Sequence, residues 1–200
     1  MERSNALANL ATMLLLCLAM FSYTISISSA QRTTDTRFIR TSCGKTTYPR
    51  LCYTSLSGHA SLIQTSPKLL AGAALNVTLE KARATSTMMV RLSRARGMKP
   101  REVGAMHDCV EELSSSVDEL RQSIDEMGQM KRPSNFGLIM NDVQTWVSAA
   151  LTDESTCSDG FAGSVMNGNM KTAVRNTILT IAHLTSNALA LINRYAELHG

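Results

Sequence analysis

The 200-residue chain predicts an all-α protein built as an antiparallel up-and-down four-helix bundle. Three observations point there. Aromatic residues are only 4% of the chain, with a single Trp, while Ala, Leu, Met, Ser and Thr abound, a mix poor in strand formers. Apolar residues recur at three-and-four spacing through several long segments. Gly and Pro fall between those segments and leave short linkers, which force neighbouring helices to run in opposite directions. Hydrophobic residues at 44% and charged residues at 18% exclude a fully disordered chain. The net charge of +4 is too mild to select a partner.

The first 30 residues carry only Glu2 and Arg3 as charges around the apolar run Leu10 to Phe21, and Ser28 and Ala30 stand at the minus-three and minus-one positions before Gln31. This reads as a cleaved secretory leader, which leaves a mature protein with no membrane-spanning segment. Residues 31–42, rich in Thr and Arg, are expected to be a polar, frayed lead-in. A single domain then covers 43–198, with a turn-rich, hairpin-forming part at 43–66 and the bundle at 67–198.

Cys17 falls in the leader, so the mature chain keeps Cys43, Cys52, Cys109 and Cys157, consistent with two disulfides in a secreted domain. Three connectivities are open. Spacing favours Cys43 with Cys52, across a short stretch containing Gly44 and Pro49, which leaves Cys109 with Cys157. Asn76-Val77-Thr78 is a glycosylation sequon.

Ser66-Pro67 supplies an N-cap followed by proline at the first helical position. The helix that follows carries Leu70, Ala74, Val77, Ala84, Met88 and Leu92 on one stripe, with Asn76, Glu80, Arg83, Thr87, Arg91 and Arg94 on another, so the sequon faces solvent. Gly97 and Pro100 end it. Val103, Met106, Val110, Leu113, Val117, Leu120, Ile124 and Met127 alternate three and four apart, a sustained heptad stripe. After Gly128 and Pro133, Ile139, Val143, Trp146, Val147 and Ala150 start a shorter helix behind Ser134. A loop is expected from Asp153 to Gly168. The last helix carries Met170, Val174, Ile181, Leu184, Ala188, Leu191, Tyr195 and Leu198, with Thr177 filling one place. Residues 67–96 hold six Lys or Arg and one Glu, whereas 101–127 hold eight Asp or Glu and two Arg. Most of these are solvated faces, where an exposed pair contributes only tenths of a kcal/mol.

The sequence offers little chemistry. No Glu-x-x-His pair supports a di-metal bundle site, and no cysteine spacing suits zinc. His59, His107, His183 and His199 are scattered, and Gly-x-Ser-x-Gly and glycine-rich phosphate loops are absent. The acidic set Asp108, Glu111, Glu112, Asp118, Glu119, Asp125 and Glu126 lies beside or opposite the heptad stripe, where solvation should leave the carboxyls with ordinary pKa values. Basic and aromatic residues are not interleaved as nucleic-acid binding requires. The expectation is a protein that is not an enzyme, uses no cofactor or metal, and binds something through a stapled surface.

Three motifs in order make the chain resemble the plant invertase and pectin methylesterase inhibitor family. They are Cys43-Gly44-Lys45-Thr46-Thr47-Tyr48-Pro49-Arg50-Leu51-Cys52 with Ser55-Leu56; Asp108-Cys109 with Glu111 and Val117-Asp118-Glu119-Leu120; and Thr156-Cys157 with Asp159 and Phe161. The resemblance implies a four-helix bundle preceded by a small disulfide-closed helical hairpin, bridged first to second and third to fourth cysteine. It also implies secretion to the apoplast or cell wall and a one-to-one complex in which bundle helices cover the substrate cleft of a pectin methylesterase. The Pro-Lys-Phe tripeptide of invertase inhibitors is replaced by Pro133-Ser134-Asn135-Phe136, and Trp146-Val147-Ser148-Ala149-Ala150-Leu151-Thr152 is similar to the methylesterase-inhibitor form. The alternatives are an inhibitor of acid invertase and a non-inhibitory wall protein. Leu113 stands where many members have Tyr, so a contact through that hydroxyl does not carry over. A similar domain forms the pro-region of some pectin methylesterases, but with no catalytic domain after Gly200 a free inhibitor is expected. Nothing supports a contact with pectin itself.

Inhibitors of this kind use the middle helices. On the first of them Asp108, Glu111, Ser115, Asp118, Gln122 and Asp125 face away from the heptad stripe. On the next, Asn141, Gln144, Thr145 and Ser148 form the polar side. These ten residues are the expected partner contacts.

Overall fold

A computed structural model describes residues 33–95, 97–130, 135–162 and 169–199, together with positions 13, 14 and 31. Nearly all of the leader, the Ser134 cap and the end of the glycine-rich segment up to Gly168 lie outside the described residues. The helices are α1 (33–43), α2 (Pro49–Leu56), the short α3 (Ala60–Ile63), α4 (Pro67–Leu92), α5 (Pro100–Gly128), α6 (Phe136–Gly160) and α7 (Asn169–Glu197). No strand occurs among the described residues, and no helix there is long and apolar enough to cross a membrane.

α4 to α7 form the bundle, each packed on the next and α7 closing back on α4. Two pairs of contacts fix the antiparallel sense of α6 and α7. Gln144 bonds Asn193, whereas Glu154, ten residues later, bonds Thr185, so the partner number falls as α6 advances. α4 starts as its sequence dictates: the Ser66 Oγ accepts a hydrogen bond from the Leu69 N–H (3.3 Å) and Pro67 takes the first helical position. At the start of α5, Pro100 follows Lys99, whose N–H donates to Glu102 Oε2 at 2.7 Å.

The hairpin begins earlier than the sequence suggests. Residues 31–42, read as a frayed lead-in, are largely helical, because Asp35, Ile39, Ser42 and Cys43 recur every three or four residues and are all buried. With only one aliphatic residue among them, that face carries almost no hydropathy signal. The Cys43–Cys52 bond ties α1 to α2, and the Arg40 guanidinium sits 4.3 Å from the centre of the Tyr53 ring across the same pair. The hairpin is held to the bundle by Asn187 of α7. Its Oδ1 accepts from the Tyr48 N–H and its Nδ2 donates to the Tyr48 carbonyl, both at 3.0 Å, while the Tyr48 ring stacks on His183. Asn187 is only 3% exposed. Asn187→Ala should therefore destabilise the protein by about 2 to 3 kcal/mol, the sum of two bonds and the backbone groups left bare. Urea unfolding measures it.

At the end of α3, Gln64 adopts φ 52, a region that disfavours a side chain. Gln64→Gly should raise the unfolding free energy by roughly 1 kcal/mol, visible as a higher melting temperature.

The core registers overlap the apolar stripes and widen them with small and polar residues. In α4 Leu70 and Ala74 are buried as expected, together with Ala71, Ala73, Leu75, Thr78, Leu79, Ala82, Thr85 and Met89; Val77, Met88 and Leu92 are half-buried and Ala84 is exposed. In α5 Met106, Leu113, Val117, Leu120 and Met127 are buried as expected, flanked on the α6 side by the small residues Cys109, Ser116 and Ser123. Val110 and Ile124 are only half-buried, and Val103 is 47% exposed. Small side chains win the inner position because they allow α5 and α6, the most closely apposed pair, to approach. In α7 Val174, Ile181, Leu184, Ala188, Leu191 and Tyr195 are buried as expected, joined by Ile178, Thr185 and Ile192, while Thr177 is half-buried and Leu198, just past the helix, is exposed.

Asp153 to Gly160, expected in a loop, continue α6. Val143, Val147, Ala150, Glu154, Cys157 and Phe161 keep the heptad through that stretch, and all are buried. A glutamate at a core position hides the repeat.

Candidate functional site

α5 and α6 are locked at one end by the Cys109–Cys157 disulfide, with Cα atoms 4.4 Å apart. Less than one turn before Cys157, Glu154 is fully buried, and its Oε1 accepts hydrogen bonds from Ser116 Oγ (2.8 Å) on α5 and Thr185 Oγ1 (3.0 Å) on α7. Its Oε2 has no partner. Burial pushes the carboxyl up to about 8. The neutral acid suits this geometry: one oxygen takes both hydroxyl hydrogens while the other carries the proton.

Beside it, Glu112 and Glu119, one heptad apart on α5, both reach Asp153 of α6. Burial, followed by the charge of Asp153, raises the Glu119 carboxyl to about 7 and moves Glu112 in the same direction. Burial also raises Asp153, opposed by hydrogen bonds from the two glutamates. The expectation of ordinary carboxyls therefore fails for Glu112 and Glu119. Both lie at the edge that α6 covers, not on the open face.

The open face is formed by the residues read from the sequence. Asp108, Glu111, Ser115, Asp118, Gln122 and Asp125 are exposed along α5, and Asn141, Thr145 and Ser148 along α6. Gln144 stands apart from them, half-buried, with its Nε2 donating to Asn193 Oδ1 of α7 at 2.9 Å. Asp118 accepts from Arg121 at 2.6 Å and Glu111 lies 3.7 Å from His107, so both acids are turned along α5 and remain available to solvent. Trp146, expected in the core stripe, is half-buried one heptad before Asp153 and so shares its flank next to α5. Leu113, the position of the missing Tyr, lies in the core.

The histidines do not converge. His183 stacks on Tyr48 and burial lowers its pKa, His199 sits beside Tyr195, and His107 is on the open face of α5. Among the described residues no group of three His, Cys, Asp or Glu is placed to hold a metal ion.

The described residues form a helical bundle closed by two disulfides, with an exposed acidic face on α5 beside a neutral polar one on α6. The sequence pattern of the family described as plant invertase/pectin methylesterase inhibitor matches residues 37–191, and the chain belongs to that family of proteinaceous inhibitors. It is 47% identical over 163 residues to pectinesterase inhibitor 11 of Arabidopsis thaliana, spanning 80% of this chain and 81% of that protein. It is 44% identical over 177 residues to a 21 kDa protein of Daucus carota, spanning 88% and 92%. A crystal structure of a mutant pectin methylesterase inhibitor from Arabidopsis superposes with a TM-score of 0.61 at 24% identity, over 76% of this chain and 92% of that one, a likeness of fold.

Proposed function

We propose that this protein is secreted to the cell wall and there binds a pectin methylesterase one to one, covering its substrate cleft with the outer faces of α5 and α6. Its similarity to a curated pectinesterase inhibitor over four-fifths of both chains carries the reading. The exposed acidic run on α5 localises it: a cleft that receives an anionic polymer needs cationic groups, and Asp108, Glu111, Asp118 and Asp125 would pair with them. Residues 1–30 are the leader on this reading and 43–198 the inhibitory domain, extended N-terminally by α1. The protein works by occlusion and contributes no chemistry.

The test is a parallel titration of the oxidised protein into a pectin methylesterase assay and an acid invertase assay. Methylesterase activity should fall linearly to an end point near equivalence, with invertase unaffected. Asp118→Lys with Asp125→Lys should weaken inhibition about tenfold or more at unchanged melting temperature. Gln144→Ala should do less, because that side chain is engaged with α7. Full inhibition by the double charge reversal would move the binding face elsewhere, and turnover of pectin by the protein itself would end the occlusion reading.

A further inference from the structure

Opposite in character to the polar α5–α6 face is a groove of about 600 Å³ between α3, α4 and the C-terminal end of α5. Its floor is aliphatic, with Leu69, Ala73, Ile124 and Met127, and Leu62 and Leu69 are 62% and 42% exposed. Exposed apolar surface of this kind normally has a cover. Asn76 is itself part of the lining, is exposed, and opens the sequon Asn76-Val77-Thr78.

We propose that Asn76 carries an N-linked oligosaccharide whose first sugars lie along this groove and shield it. The inference rests on the secretion reading above. The attachment point decides the occupant, since any glycan on Asn76 starts inside the groove. Pyranose rings present C–H faces that cover aliphatic side chains, while their hydroxyls reach water and the rim groups Lys68, Glu80 and Arg83. In the transfer, the Asn76 Nδ2–C1 bond to N-acetylglucosamine forms as the C1–O bond to a lipid diphosphate donor breaks. The diphosphate leaves and Nδ2 gives up one proton. Nδ2 keeps its second hydrogen, so its bond to the Gly72 carbonyl (2.8 Å) survives modification. The third sequon residue sets the timing. Thr78 is 1% exposed and its hydroxyl donates to the Ala74 carbonyl, so a transferase can use it only before α4 has folded.

The full chain, expressed in a eukaryotic secretory host and collected from the medium, should show a mass excess that peptide N-glycosidase F removes, leaving an aspartate at that position. In hydroxyl-radical footprinting, Leu62 and Leu69 should be weakly labelled in the glycosylated protein and strongly labelled after enzymatic release. Leu138, 66% exposed and on α6, should stay constant as the internal reference. Asn76→Gln and Thr78→Val should each abolish the mass excess and uncover the groove. The second variant removes only a buried hydroxyl, so a fault peculiar to one substitution will not appear in both. Secreted protein without a glycan would overturn the proposal, as would a glycan that leaves Leu62 and Leu69 fully labelled. Protection of the groove in glycan-free protein by dimerisation, seen in sedimentation, would likewise overturn it in favour of a second copy. The methylesterase titration is scored separately, so a glycosylated, shielded protein that fails to inhibit would count against the function and not against this site.

Discussion

Cys157→Ser should destabilise the protein by about 4 kcal/mol, the loop-entropy value for releasing a bridge that spans 48 residues. A typical domain has only about 5 to 15 kcal/mol in all, so this one change should bring the bundle near its unfolding midpoint at 37 °C. Both sulfurs are buried in the α5–α6 seam, and the unpaired hydroxyl and thiol left there add to the loss. Inhibition should disappear in proportion to the unfolded fraction and return on cooling or with added methylesterase, because ligand binding selects the folded state. Cys52→Ser opens a loop of sequence separation 9 and should cost less, between about 2 and 3 kcal/mol. Urea titrations of both variants, followed by far-ultraviolet circular dichroism, give the order. A Cys157→Ser protein as stable as the parent would mean that α5 and α6 are held by packing alone.

The second large effect is on pH. Glu154 keeps its proton in the folded protein up to about 8, but in the unfolded chain releases it near its ordinary value of 4.5. Between those limits the folded state binds more protons, so stability is greatest below pH 4.5 and falls as pH rises towards 8. Between pH 5 and 7.5 the loss from this carboxyl alone is on the order of 3 kcal/mol. Glu112 and Glu119, also raised, act in the same direction. No compensating ionisable group is buried on α4. Glu154→Gln imitates the protonated form, keeps an acceptor for Ser116 and Thr185, and should flatten the dependence, melting above the parent at pH 7.5 and close to it at pH 5. A parent protein that is more stable at pH 7.5 than at pH 5 would contradict a neutral Glu154.

The first of these effects rests on a bridge that cysteine spacing already favoured, the second on a buried carboxyl that the sequence hid. The helices and most of their ends were legible, because Ser66-Pro67, Gly97 with Pro100, and Gly128 are local signals that need no tertiary knowledge. The outward residues of α5 were legible too, since the heptad at Met106, Leu113, Leu120 and Met127 is strong enough to define its own opposite side. The finer register was not. Thr78, Thr85, Ser116, Thr185 and Glu154 hold core positions in four helices, and hydropathy reads each as a gap. Thr78 is buried because its hydroxyl donates to the Ala74 carbonyl one turn back, and Ser116, Thr185 and Glu154 are buried because they meet one another across three helices. The same blindness made a loop of the end of α6 and assigned ordinary carboxyls to Glu112 and Glu119. Trp146 was read with the apolar residues of its helix, but Val143, Val147 and Ala150 hold the core positions there and leave it half-buried.

The clamp between Tyr48 and Asn187 joins parts of the chain that leave the ribosome far apart in time. They are separated by 139 residues, which at about 5 to 20 residues per second is roughly 7 to 28 s of synthesis. Throughout that interval the α1–α2 hairpin has no α7 to rest on, and α4 lacks one of its two bundle neighbours. α5 and α6, adjacent in sequence and able to form their disulfide early, can pair during the same interval. α2 packs on α4 as well, so the hairpin can settle there early, but its clamp to Asn187 and the closure of α7 against α4 and α6 come last, and a nascent chain stopped before residue 187 would leave the faces of α4 and α6 that α7 covers open to chaperones.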